Sequence, residues 1–136
     1  MPSLIDNALT ALPVFASHLA LAVAIFAAGL GIYSVVTPIH EFRLVRAGNA
    51  AAGLALAGVT LGLGIAVAAA MAASFTLLDI LIWGSIAVIV QIAAFVAVEL
   101  VMKRMSARVE AGEIAAASFL AAVQVSVGAI NAAALL

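Results

Sequence analysis

Cysteine is absent from this 136-residue chain, which excludes disulfides and thiolate metal sites. Charge is scarce as well. Asp, Glu, Lys and Arg make up 8% of the residues and the net charge is −1, so the clustered Lys and Arg that a nucleic-acid partner requires are missing. The same shortage excludes a soluble domain: 68% of the residues are hydrophobic and the mean hydropathy is +1.40, leaving too little polar surface to cover a chain of this length. No basic cluster precedes the first apolar run, where Asp6 stands instead, and no cleaved signal peptide is expected.

What is present is a set of four long apolar runs, residues 14–36, 50–73, 77–102 and 114–136. Each exceeds the roughly 20 residues that a helix needs to cross about 30 Å of hydrocarbon. The runs are continuously apolar instead of alternating, which excludes barrel strands, and a helix satisfies its own backbone groups in lipid. The expected fold is an all-α integral membrane protein, one membrane domain over residues 1–136. Its four transmembrane helices form two parallel two-helix repeats, residues 14–73 and 77–136. The repeat rests on a 64-residue offset: pairing residues 45–66 with 109–130 gives nine identities without a gap, among them Gly48/Gly112, Ala51/Ala115, Leu56/Leu120 and Gly64/Gly128.

Residues 3–12 are expected as a short interfacial helix, with Pro13 opening the first span. After Val36, Thr37 and Pro38 read as N-cap and first residue of a short amphipathic helix. Ile39, Phe42 and Val45 take its apolar side and His40, Glu41, Arg43 and Arg46 its polar side. Gly48 and Asn49 break it before the second span. Thr76 and Asp79 have capping-box spacing at the start of the third, and residues 99–113 are expected to continue that helix into water until Gly112. All five basic residues, Arg43, Arg46, Lys103, Arg104 and Arg108, fall in the first and third connections. The positive-inside rule then predicts both connections in the cytoplasm and both termini outside, in a multi-pass protein of the bacterial inner membrane, the halves related by a pseudo-twofold axis along the membrane normal.

No span carries an Asp, Glu, Lys or Arg at its centre. Proton relays and ion-coupled pumps need an ionisable group at depth, so the proteolipid ring subunit of rotary ATPases, otherwise similar in its Ala/Gly-rich double hairpin, is rejected. Thr60, Gln91 and Gln124 fall near the middle of their spans and can share one layer, either a polar pathway lining or interhelical hydrogen bonding. His18 and Asn131 lie at similar depth near the outer side, a candidate polar pair. Trp83 and Tyr33 read as anchors at opposite interfaces. Gly58, Gly62 and Gly128 permit close helix packing, with the second and fourth spans inside and the first and third outside. At the cytoplasmic side Asn49 and Glu113 are expected to cap the second and fourth spans, and Thr37, Pro38, Glu41, Arg43, Arg46, Lys103, Arg104 and Arg108 to form a polar surface.

These residues resemble the YjfL-type family of small bacterial inner-membrane proteins of unknown function, in which a two-span unit occurs as a tandem pair. The likeness runs from about Gly31 to Ala134. It is carried by Ile32-Tyr33-Ser34, Thr37-Pro38-x-x-Glu41, Asn49-x-Ala51-Ala52, Gly58 and Leu61-Gly62, then by Trp83-Gly84-x-Ile86-Ala87, Gln91, Ala115-Ala116 and Asn131-Ala132-Ala133. Glu113-Ile114 stands where the second unit of such proteins tends to open with an Asn-led run. The resemblance implies a fold and a compartment and no chemistry.

With no Ser-His-Asp set, no metal cluster and no phosphate loop, no enzyme and no cofactor are expected. The favoured reading is a non-enzymatic, homo-oligomeric inner-membrane module for envelope maintenance or stress response. Its partners are the lipid bilayer, copies of itself and a peripheral cytoplasmic protein. The alternative is a small channel or solute pathway lined by Thr60, Gln91 and Gln124.

Overall fold

A computed structural model describes residues 3–136, all helix and turn, with four helices long and apolar enough to cross a membrane. The elements are α1 (Leu4–Val36), α2 (Glu41–Arg46), α3 (Ala50–Ala73), α4 (Leu77–Met102), α5 (Met105–Glu110) and α6 (Ile114–Leu135). The protein is an all-α integral membrane protein.

The expected interfacial helix is not separate. Residues 4–36 form one helix of 33 residues, about 50 Å long, with Pro13 inside it. Ser3 starts it through a capping box with Asp6, the Ser3 hydroxyl accepting from the Asp6 N–H at 3.1 Å. A start so well satisfied three turns upstream leaves Pro13 only one intrahelical bond to remove. Thr37 does not open the next helix either. Its hydroxyl donates to the Tyr33 carbonyl at 2.8 Å and closes α1, so the short α2 begins at Glu41 after His40, which supplies no side-chain cap.

The third connection also departs from expectation. The helix expected to run on through residues 99–113 stops at Met102, where Lys103 and Arg104 take consecutive positive φ angles of 49° and 59°. A second short helix, α5, follows. The Glu99 carboxylate causes the turn by accepting from the Ser106 N–H at 2.9 Å and the Ser106 hydroxyl at 2.6 Å, satisfying the start of α5 from the end of α4. Gly48 and Gly112 then reverse the chain with φ of +84° and +86°, left-handed angles that glycine adopts without strain. Thr76 and Asp79 make the expected capping box at the opposite end.

In the bundle, α3 and α6 form the close-packed centre, as expected of the second and fourth spans. A methyl group on Gly58 would meet the Ala121 Cα at 2.3 Å, one on Gly62 the Gln124 carbonyl oxygen at 2.3 Å, and one on Gly128 the Gly62 carbonyl oxygen at 2.2 Å. Backbones approach this closely only where no Cβ intervenes.

The outer helices are not equivalent. Helix α4 packs against α1, α3 and α6, whereas α1 packs on α3 and α4 and touches α6 slightly at most. A twofold along the membrane normal would have required α1 to meet α6 as α4 meets α3. The difference follows from Gln91, which draws α4 into the seam while Ala27, 64 residues earlier, is exposed on α1. Gly29 against Val88 and Gly84 against Ile25 then let α1 and α4 close on each other.

Candidate functional site

Two apolar clusters fill the bundle, one toward the basic end around Tyr33, Val59, Phe95 and Leu120, the other toward the opposite end around Ile25, Leu63, Ile80 and Val88. Between them lies a thin polar layer. Gln91 on α4 and Gln124 on α6 are 1% and 0% exposed and bind reciprocally: the Gln91 amide donates to the Gln124 backbone carbonyl and the Gln124 amide to the Gln91 backbone carbonyl, each at 3.3 Å. Gln124 also reaches the Tyr33 hydroxyl at 3.5 Å. The Oε1 atoms of both glutamines have no partner among the described residues. Gly62 makes the layer possible, since a methyl there would come within 2.8 Å of the Gln91 amide nitrogen.

Thr60 does not join this layer. Its hydroxyl donates at 2.7 Å to the Leu56 carbonyl of its own helix, the usual outlet for a threonine facing away from a polar partner. Tyr33 is not an interfacial anchor, being 2% exposed and packed edge-on against Phe95 at 5.7 Å between ring centroids. Trp83 is exposed, as a lipid-facing aromatic would be. His18 and Asn131 are both half-buried but no bond joins them, and the Asn131 Nδ2 lacks a partner among the described residues. The reason is the weak approach of α1 to α6.

At the basic end the two connections meet. Asn49 caps α3, accepting from the Ala52 N–H at 3.0 Å, and its amide donates to the Glu110 carbonyl across to α5, also at 3.0 Å. Glu113 makes no side-chain cap. It is held instead by Arg108 in a two-pronged ion pair, with Arg108 Nε donating at 2.8 Å to one oxygen and Nη2 donating to the other. Hydrogen bonding and charge within that pair raise the arginine pKa and lower that of the carboxyl. Arg43, Arg46, Lys103 and Arg104 are exposed. Pro38 is exposed in the bend before α2.

Glu41 is the largest correction. The helical period placed it on the polar face of α2, yet it is 0% exposed, and neither carboxyl oxygen has a partner among the described residues. Because α2 starts three residues later than expected, Ile39 drops into the core from the preceding bend. Glu41 and Leu44, one turn apart, then face the bundle, while Phe42 and Val45 are exposed. Burial pushes the Glu41 carboxyl up to about 7; its own backbone N–H, which stays outside hydrogen-bond geometry, pulls the other way, and the Glu110 carboxylate adds to the rise.

Among the described residues no group of three or more His, Cys, Asp or Glu side chains is placed to hold a metal. The recess at this end, about 250 Å³, is open and lined by Ser34, His40, Glu41, Phe42 and Arg43.

Residues 7–135 match the family described as Domain of Unknown Function (DUF350). The chain is 33% identical over 125 residues to the UPF0719 inner membrane protein YjfL of Escherichia coli strain K12, covering 92% of this chain and 95% of the relative. The same protein of Escherichia coli O157:H7 matches to the same extent. No solved structure matches. With the family model matched over nearly the whole chain and an inner membrane protein similar over 92% of it, the chain belongs to the family described as Domain of Unknown Function (DUF350).

Proposed function

We propose that this protein is a non-enzymatic module of the inner membrane that associates with copies of itself and meets anionic headgroups, or a peripheral protein, through its basic end, in the service of envelope maintenance or stress response. One observation carries the reading: Arg43, Arg46, Lys103 and Arg104 lie exposed in the two connections at one end of the bundle, outside the one ion pair found among the described residues. Each such cation near an anionic leaflet is worth about 1 kcal/mol. By the positive-inside rule this end faces the cytoplasm and both termini face outward. Self-association is supported by the lipid side of α1, where Ala24, Ala27, Ala28 and Gly31 are exposed at helical spacing and a methyl on Gly31 would meet nothing within 4 Å. The two hairpins, each with a short helix at the basic end, are read as a duplicated unit.

A pathway through one subunit is the weaker reading. The glutamines that would line it are enclosed by α3 and α6 at backbone contact, and Thr60 bonds its own helix. Reconstitution separates the two. In nanodiscs, replacing zwitterionic by anionic lipid should raise the unfolding temperature of the natural protein and leave a variant with Arg43, Arg46, Lys103 and Arg104 changed to Gln unmoved, and crosslinking in native membranes should capture dimers or larger. Equal shifts for both proteins would refute the headgroup contact, and solute flux into liposomes that Gln91→Leu alters would replace it with the pathway.

A further inference from the structure

Glu41 is used by nothing described so far. A carboxyl group with both oxygens enclosed and no donor is costly in its ionised form, because neither water nor a cation compensates the charge. The groups around it do not help. From α1 the titratable side chain it influences is Tyr33, whose hydroxyl accepts from Gln124 and makes no bond to Glu41, and from α5 it is Glu110, of like charge. Arg108 is committed to Glu113, α3 brings no titratable residue, and His40, Arg43 and Arg46 on the same stretch are exposed.

The place itself does not demand an acid. Met105, the first residue of the other short helix as Glu41 is of α2, is also 0% exposed, so an unbranched side chain of similar length fills such a position without charge. The two short helices differ further in how they are held. The start of α5 is tied by Glu99, whereas α2 has no side-chain cap and lies between the bend at Pro38 and the reversal at Gly48.

We propose that Glu41 is a proton-binding site that latches α2. With its proton, the neutral carboxyl fills its place at the basic end of the bundle. When the proton leaves to water, the carboxylate draws water in and α2, with Arg43 and Arg46, comes away from α3. The latch is independent of what the basic end touches, so it stands or falls apart from the headgroup contact.

Two measurements on the full chain in nanodiscs test it. In infrared spectra titrated from about pH 5 to about pH 9, the natural protein should lose a protonated-carboxyl band centred near neutrality, absent from Glu41→Gln and Glu41→Met. A band already lost below about pH 5, or one that remains in both variants, overturns the proton site. The chain has no cysteine, so Ile39→Cys introduces a single buried thiol beside α2. Divided by the rates in an Ile39→Cys/Glu41→Met background, which removes the thiol's own pH dependence, its maleimide labelling should rise about ten-fold between pH 6 and pH 8. A ratio that stays flat overturns the latch.

Discussion

Replacing Gly62 by alanine tests the account of the bundle most directly, because two opposite outcomes are available. By helix propensity alone, Gly→Ala in a helix interior stabilises by about 1 kcal/mol. In this seam the new methyl would sit 2.3 Å from the Gln124 carbonyl oxygen and 2.8 Å from the Gln91 amide, more than 1 Å inside ordinary contact in the first case. The obstructing atom is backbone, so α3 and α6 must part. A separation of about 1 Å carries the reciprocal glutamine bonds, already 3.3 Å long, beyond hydrogen-bonding range. Two interhelical bonds at about 0.6 kcal/mol each, together with an overpacking cost of about 1 to 3 kcal/mol, outweigh the propensity gain. The net expectation is a loss of about 2 kcal/mol. Gly53→Ala is the control, since a methyl there meets only the Val45 side chain at an ordinary 3.8 Å and should gain up to about 1 kcal/mol. Reversible unfolding by dodecyl sulfate in mixed micelles, followed by circular dichroism and the single Trp83, measures both. Equal stabilisation of the two variants would refute the backbone-contact seam.

Asn49→Ala should cost about 1 to 2 kcal/mol in the same assay; Asn49→Asp should restore the α3 cap and lose only the bond to the Glu110 carbonyl, so its deficit should be smaller. Glu41 predicts the pH dependence of stability. Its carboxyl is raised from 4.5 to about 7 in the fold, so the favourable contribution is fully present below about pH 4.5 and is lost as pH rises through about 7, a loss of about 3 kcal/mol. Glu41→Met should flatten that slope in denaturation curves taken between about pH 5 and pH 8, and an unchanged slope would assign it to other groups. Gln91→Leu should cost about 1 kcal/mol or less, because Gln124 keeps its bond to the backbone carbonyl at position 91; a loss of several kcal/mol would mean that the layer holds more than this one pair.

Much of the architecture was legible in the residues. Four runs of sufficient length gave four spanning helices, Thr76 and Asp79 gave a capping box, and Asn49 a cap, since each is a local relation within a few residues. The small residues at Gly58, Gly62 and Gly128 pointed to the helices that pack at the centre. The errors lie where a second partner within about two turns takes a side chain from the role its own position suggests. Thr37 has N-cap chemistry and sits before a proline, yet its hydroxyl finds the Tyr33 carbonyl behind it. Residues 99–111 are mostly good helix formers, but Glu99 reaches Ser106 and turns the chain. Glu113 matches Asn49 in the 64-residue offset and pairs with Arg108 instead of capping. Gly29 and Gly84, which bring α1 and α4 together, carried no spacing signal at all.

The amino-acid sequence alone determined that the chain lives in a bilayer, how many times it crosses and where its positive charge gathers, because length, hydropathy and charge are summed along the chain and need no partner. Only the tertiary structure decided that Gln91 and Gln124 face each other while Thr60 does not, and that Glu41 is shut inside. A spanning helix is apolar on every side, so hydropathy carries no information about its rotation. Rotation is set by which backbones can approach at glycine and by which amides can find one another, and both belong to the assembled bundle.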